Sequence, residues 1–236
     1  MTKHVGADTI GVNRPALAGI SAVSAALLMT ELALTRIFSV TMYYHFAFLA
    51  ISIALFGLSA SGVLVYVLRH RLAQRQTFDL LAAGALLHSA ATLVSLAYLV
   101  RIRVGLDYSP QNLFLMIAIY VLASLPFLTG GAVISLAFAR LADRINVLYA
   151  SDLIGAALGC LLLIPLLNRL GAPGVVMTAA TLSMVAALCF AAPEARWRVL
   201  FAALVILAIP AAAQFTGLVP FAVADTKGHL GDRVLF

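Results

Sequence analysis

From Phe46 to Leu68 the chain reads "FAFLAISIALFGLSASGVLVYVL", and from Gln111 to Ala139 it reads "QNLFLMIAIYVLASLPFLTGGAVISLAFA", in both cases with no Asp, Glu, Lys or Arg. Uncharged stretches this long are the strongest constraint on the fold. A hydrocarbon layer about 30 Å thick takes roughly 20 helical residues to cross, and inside it every backbone N–H and C=O must find a partner within the chain. Helices satisfy that demand segment by segment, so the expected fold class is an all-α, polytopic transmembrane bundle. Hydrophobic residues make up 64% of the sequence and charged residues 10%; soluble domains usually carry about 45–50% and 25%. The mean hydropathy of +1.08 agrees.

Hydropathy along the chain predicts seven helices, at 15–40, 45–68, 78–100, 111–139, 146–168, 173–192 and 197–218. They divide the sequence into a polar N-terminal head over 1–14, a helical bundle over 15–218, and a C-terminal tail or truncated linker over 219–236. Short connections such as "TMYYH" and "NRLGAPG" make neighbouring helices antiparallel. In the fourth segment, Pro126 with Gly130 and Gly131 in "SLPFLTGG" allow a kink or a half-helix within the 111–139 span. Lys3 and Arg14 precede a first apolar run too long for a signal-peptide core, which predicts an uncleaved first span. Nine of the 15 Lys and Arg residues fall on the N-terminal side of this topology and six on the other, favouring a cytoplasmic N-terminus. The expected location is the bacterial inner membrane, multi-pass, with the lipid bilayer as the first partner.

Several function classes lose support at this point. The excess of Lys+Arg (15) over Asp+Glu (9) is spread through loops without aromatic interleaving, so no nucleic-acid partner is expected. Cys160 and Cys189 lie within apolar runs and imply neither a disulfide framework nor a metal site. His45 and His88 lack a second pair on facing helices, so haem is not expected, nor is any other cofactor or metal. Tyr43, Tyr44 and His45 read as interfacial belt residues.

The exceptions to the apolar pattern carry the remaining information. Asp152 must lie inside the fifth span, because the roughly 15 residues beyond it would rise only about 22 Å as a helix. Tyr149, Asp152, Gly155, Ala156 and Gly159 share one helical face, putting the carboxylate at the head of a small-residue strip. Gly155 and Gly159, like Gly57 and Ser61 on the second helix, are expected to serve close helix packing. Asp152 itself reads either as a first-turn carboxylate stabilised by the helix N-terminus or as one half of a buried pair. In the first helix, Ser21, Ser24, Leu28, Glu31 and Thr35 recur at spacings of three and four and form an inward stripe. An ionised carboxylate at mid-bilayer costs roughly 2.5–3.5 kcal/mol, so Glu31 is expected to be paired or protonated, with Arg36 its nearest basic group in sequence. His88 shares a face with Thr92 and Ser95 and reads more readily as a packing residue than as a ligand. Glu31, Thr35, Arg36, His88 and Asp152 together make the candidate intramembrane polar site, with Asp143 and Arg144 as loop charges. Glu31 and Asp152 are expected to share a polar cavity, with Arg36 or Arg144 close by.

"ELALTRIFSV" with Glu31, Thr35 and Arg36, "YYHFAFLAISIALFGLSASG", and "ARLADRINVLYASDLIGAALG" with Asp143, Arg144, Tyr149, Asp152, Gly155 and Gly159 resemble the membrane domain of bacterial membrane-fused spermidine-synthase-like proteins. The resemblance covers most of the chain, and its charged positions carry most of the signal. It implies a helical bundle that precedes an aminopropyltransferase-type domain of Rossmann-like fold. The transfer chemistry belongs to that soluble domain, whose glycine-rich turn and acidic residues have no counterpart in these 236 residues. No catalytic residue is therefore expected in this chain, and "FAVADTKGHLGDRVLF" reads as a linker. Under this reading the module scaffolds or binds, with a soluble aminopropyltransferase-like domain, other membrane subunits or a second copy as partner. Two alternatives are a transporter of a small cation or polyamine that uses intramembrane carboxylates, and an accessory structural subunit of a larger membrane complex.

Overall fold

The computed structural model describes residues 14–41, 46–99 and 110–215. Expectations placed elsewhere lie outside the described residues: the head before Arg14, the "TMYYH" connection with Tyr43, Tyr44 and His45, and the 219–236 tail. Among the described residues the structure is helical, without strands. The helices are α1 (Arg14–Thr41), α2 (Phe46–Leu72), α3 (Thr77–Leu99), α4 (Pro110–Arg140), α5 (Ile145–Phe190) and α6 (Arg196–Phe215), with a short 3-10 turn, Ala142–Arg144, ahead of α5. Five stretches, in α1 to α5, are long and apolar enough to cross a membrane.

Two elements decide where the chain breaks. The first is α4, which passes through Pro126 as one helix of 31 residues, as the 111–139 span implied, with no break at "SLPFLTGG". Thr129 steadies the turn beyond the proline, its hydroxyl donating to the Leu125 carbonyl at 2.8 Å and the Pro126 carbonyl at 3.1 Å. Gly130 and Gly131 do not unwind the helix; their missing side chains admit neighbours. A Cβ on Gly130 would lie 2.7 Å from Leu27 Cδ2, and one on Gly131 would lie 3.0 Å from Leu58 Cδ2.

The second is α5. Its two helical halves meet at Gly171, where φ is 69° and ψ is 176°, and they correspond to the expected fifth and sixth helices on either side of "NRLGAPG". This positive φ is open to glycine at little cost and strained for other L-residues. The chain doubles back there. Before the glycine, Gly155 packs on the Ser21 backbone; at the far end of α5, Phe190 packs on Gly19, one turn or less away along α1. A continuous helix from Gly155 to Phe190 would separate those residues by about 50 Å, so the two halves form a hairpin that holds α1 between its arms. Gly155 meets Ser21 and Gly159 meets Ala25, an ascending order that makes the first half parallel to α1.

Helix α1 is the pillar of the bundle: 61% of its apolar window is buried within the protein, against 17% for α5. Met29, Leu34 and Phe38 of α1 join Ile53 of α2, Phe127 of α4 and Val176 of α5 in the main core. A second core gathers Ile20, Leu81, Val133, Leu148 and Phe190. Leu55, Phe114, Leu161 and Trp197 point outward, as lipid-facing side chains do when the bundle has no water to exclude. The last turn of α2 extends past the predicted end at Leu68, because Arg69, His70 and Arg71 complement its carbonyl terminus and the Arg69 guanidinium lies 4.3 Å from the centre of the Tyr66 ring. Arg140 reaches across from α4, and its Nη2 donates to the Leu72 carbonyl at 2.7 Å.

Candidate functional site: an acidic cavity between α1, α2, α4 and α5

The site begins with the approach of α5 to α1. Gly155 and Gly159 are buried, and a Cβ at Gly155 would overlap the Ser21 carbonyl oxygen, while one at Gly159 would stand 2.7 Å from that of Ala25. Backbones this close bring side chains at the head of the strip within reach. Ser21 Oγ donates to the Ser151 carbonyl at 2.6 Å, and Ser24 Oγ donates to Asp152 Oδ1. Asp152 is thus held on α1 by a hydroxyl, and among the described residues no basic group takes that role. Leu148, Gly155 and Gly159 mark the centre of the buried face of α5. Tyr149 lies at its margin and is 54% exposed, so it does not share the face as expected.

Two turns beyond Ser24 on α1, roughly 10 Å along the helix, stands Glu31. Asp152, Ser24 and Glu31 all line one cavity of about 350 Å³, open on one side, between α1, α2, α4 and the first half of α5. Ser61 of α2 and Ser135 of α4 add hydroxyls, and Leu27, Phe127 and Ile134 supply apolar wall. Among the described residues, no Lys, Arg or His lines it. The carboxylate of Glu31 takes no hydrogen bond from the described residues; Thr35 Oγ1 donates instead to the Glu31 backbone carbonyl at 2.9 Å. The two carboxyl groups therefore have acceptor capacity to spare.

Other members of the predicted constellation fall elsewhere. Arg36 is exposed and does not line the cavity; Arg144 is exposed beside Asp143 in the turn before α5. The basic partner expected near the carboxylates is not found among the described residues. Thr35 is spent on its own helix. His88 is fully buried, not in the cavity but between α3 and the returning half of α5, where its Nδ1 lies 2.9 Å from Ser183 Oγ. Gly57 meets α4, where a Cβ would stand 2.6 Å from Phe127 Cβ and 2.8 Å from the Ser124 carbonyl oxygen. Ser61 sits one turn on, donates to the Leu58 carbonyl at 2.6 Å, and faces Gly131.

Set against protein families, curated proteins and solved structures, the chain matches none. The cavity must be read from its own chemistry.

Sequence reasoning missed Ser135 and Ser183. Ser135 follows Gly131 by four residues on α4, a spacing that carries it onto the same face, but nothing local distinguishes it from the many serines that only back-bond within a helix. Ser183 acquires meaning only through His88, 95 residues away in sequence.

Proposed function

We propose that this chain is an integral membrane module that binds a small organic cation at the Glu31–Asp152 cavity. The single observation that carries the reading is the placing of two carboxyl groups in one cavity that no basic residue lines among the described residues. Anionic oxygens in a low-dielectric setting are stabilised by a counter-charge that donates hydrogen bonds to them, and an amine supplies both. The volume lies at the lower end of ordinary small-molecule sites, which suits an alkylammonium.

The likeness of the charged motifs to the membrane half of spermidine-synthase-like proteins supports an amine as the ligand class and a non-catalytic part in a larger assembly, in the bacterial inner membrane. Seven crossings are the topology that goes with this reading: α1 to α4 cross once each, α5 crosses twice by reversing at Gly171, and α6 crosses last. The N-terminus is then cytoplasmic, following the charge bias.

Spermidine is the probe for the test. With the purified chain in lipid nanodiscs, calorimetry is expected to show saturable binding that weakens about tenfold or more with Glu31→Gln and with Asp152→Asn, as loss of a charged hydrogen-bond partner implies. Binding that is absent, or untouched by both substitutions, overturns the proposal.

A further inference from the structure

Behind the cavity lies a buried group with no assigned task. Nε2 of His88 has no hydrogen-bond partner among the described residues although the side chain is fully buried. The tautomer follows from its neighbour. Ser183 Oγ lies 2.9 Å from His88 Nδ1 and 3.1 Å from the Ala179 carbonyl oxygen. A carbonyl only accepts, so Ser183 donates to Ala179, and the tautomer that complements this bond has Nδ1–H donating to Ser183. That arrangement leaves Nε2 as a bare lone pair, an acceptor in a site where unsatisfied acceptors are rare.

The position of that lone pair matters. A Cβ built on Gly130 would stand 3.0 Å from His88 Cδ2, the carbon bonded to Nε2, and 2.7 Å from Leu27 Cδ2. Leu27 lines the acidic cavity, as does Gly131, next to Gly130 in α4. The Leu27 side chain thus stands on the cavity wall and, with His88, against the same point of α4, where the helix carries no side chain. None of the groups shown against His88, Ser183 on α5, Gly130 on α4 and Leu27 beside it on α1, is titratable.

We propose that His88 Nε2 is the acceptor of an inner subsite for a small hydrogen-bond donor, a water or an ammonium group, which connects with the Glu31–Asp152 cavity when the Leu27 side chain turns aside. The ammonium form rests on the cation-binding reading above; the water form does not. Leucine changes rotamer without breaking a polar contact, so it is a suitable divider. An occupant at Nε2 satisfies the histidine, and the two stations in series draw a donor from the open side of the cavity toward the centre of the bundle.

The test uses the full chain in nanodiscs. Hydrogen–deuterium exchange at the His88 Cε1 position, followed by mass spectrometry, reports whether water reaches the ring. Leu27→Ala is expected to speed that exchange severalfold, with Leu27→Val as the milder variant should the first fail to assemble. Methylammonium chloride is the second probe, with ¹⁵N spectra of the imidazole assigned by their loss in His88→Gln. A Leu27-dependent exchange rate together with a His88 ¹⁵N shift on adding methylammonium identifies the ammonium occupant. The same rate dependence without the shift identifies water. An exchange rate unchanged in both Leu27 variants overturns the subsite, whatever happens to spermidine. Conversely, spermidine binding that ignores Glu31→Gln and Asp152→Asn defeats the cation reading and leaves the exchange result standing.

Discussion

Adding a methyl group to a helical glycine raises helix propensity by up to about 1 kcal/mol where there is room, and costs about 1–3 kcal/mol where a packed neighbour must move. The two cases coexist here. Gly62 has nothing within 4 Å of its would-be Cβ, whereas that of Gly155 would overlap the Ser21 backbone. Gly62→Ala is therefore expected to hold or raise the midpoint of thermal unfolding in detergent, and Gly155→Ala to lower it. Equal midpoints would mean that α5 does not lean on α1 as closely as described. The Gly155 contact also sets the Ser24–Asp152 hydrogen bond, so Gly155→Ala is expected to weaken spermidine binding without touching a ligand-facing atom. Such coupling was only partly legible in the sequence. The spacing of Asp152, Gly155 and Gly159 marks a small-residue face, but no spacing names Ser21 and Ser24 as what that face meets, since the partner lies about 130 residues away.

Helices in this bundle are shaped by how their ends and interruptions are satisfied. Arg140 gives its guanidinium to the terminal carbonyl of α2, a charged hydrogen bond at the negative end of a helix dipole, so Arg140→Gln is expected to cost about 1 kcal/mol of stability. The interruption at Gly171 is stricter. Any other L-residue placed at φ 69° pays about 1–2 kcal/mol, so Gly171→Ala is expected to lower the unfolding midpoint although a Cβ there would touch only Pro173 Cδ, at 3.9 Å. An unchanged midpoint would show that the reversal is not held in that backbone conformation. The sequence "NRLGAPG" announces this turn by its glycines and proline. By contrast, "SLPFLTGG" offers the same residue types and yields no break. A proline removes one helical hydrogen bond, and whether the helix continues is decided by what packs around the gap. In α4 the glycines after Pro126 are occupied by Leu27, His88, Leu58 and Ser61 from three neighbouring helices, and that contact keeps the segment straight enough to remain one helix.

At the scale of the whole molecule, the proposed topology turns on the hairpin in α5. If α5 crosses twice, the α2–α3 connection at Arg75 and the α5–α6 connection at Glu194 lie on one side of the membrane, and Arg169, next to the Gly171 reversal, lies on the other. In a chain with Cys160 and Cys189 replaced, an impermeant thiol reagent is expected to label Arg75→Cys and Glu194→Cys from the same face and Arg169→Cys from the opposite face. Labelling of Arg75→Cys and Glu194→Cys from opposite faces would require α5 to cross once. This experiment also orients the acidic cavity, because the first half of α5, which carries Asp152, then runs in the same direction as α1, which carries Glu31.

Hydropathy alone dictates that this chain folds as helices of membrane length, since uncharged runs of more than 20 residues leave the backbone no other way to meet its own hydrogen-bonding needs in lipid. It also marks Glu31 and Asp152 as anomalies, because a charge in such a run is costly wherever it points. What the carboxylates face depended on the tertiary arrangement: which small residues let α5 close on α1, and which basic side chains that closure left outside. Arg36 is five residues from Glu31 and still fails to reach the cavity, because five residues along a helix turn it to another side. Proximity in a bundle is set by packing between helices, and a linear sequence records only one side of each such contact.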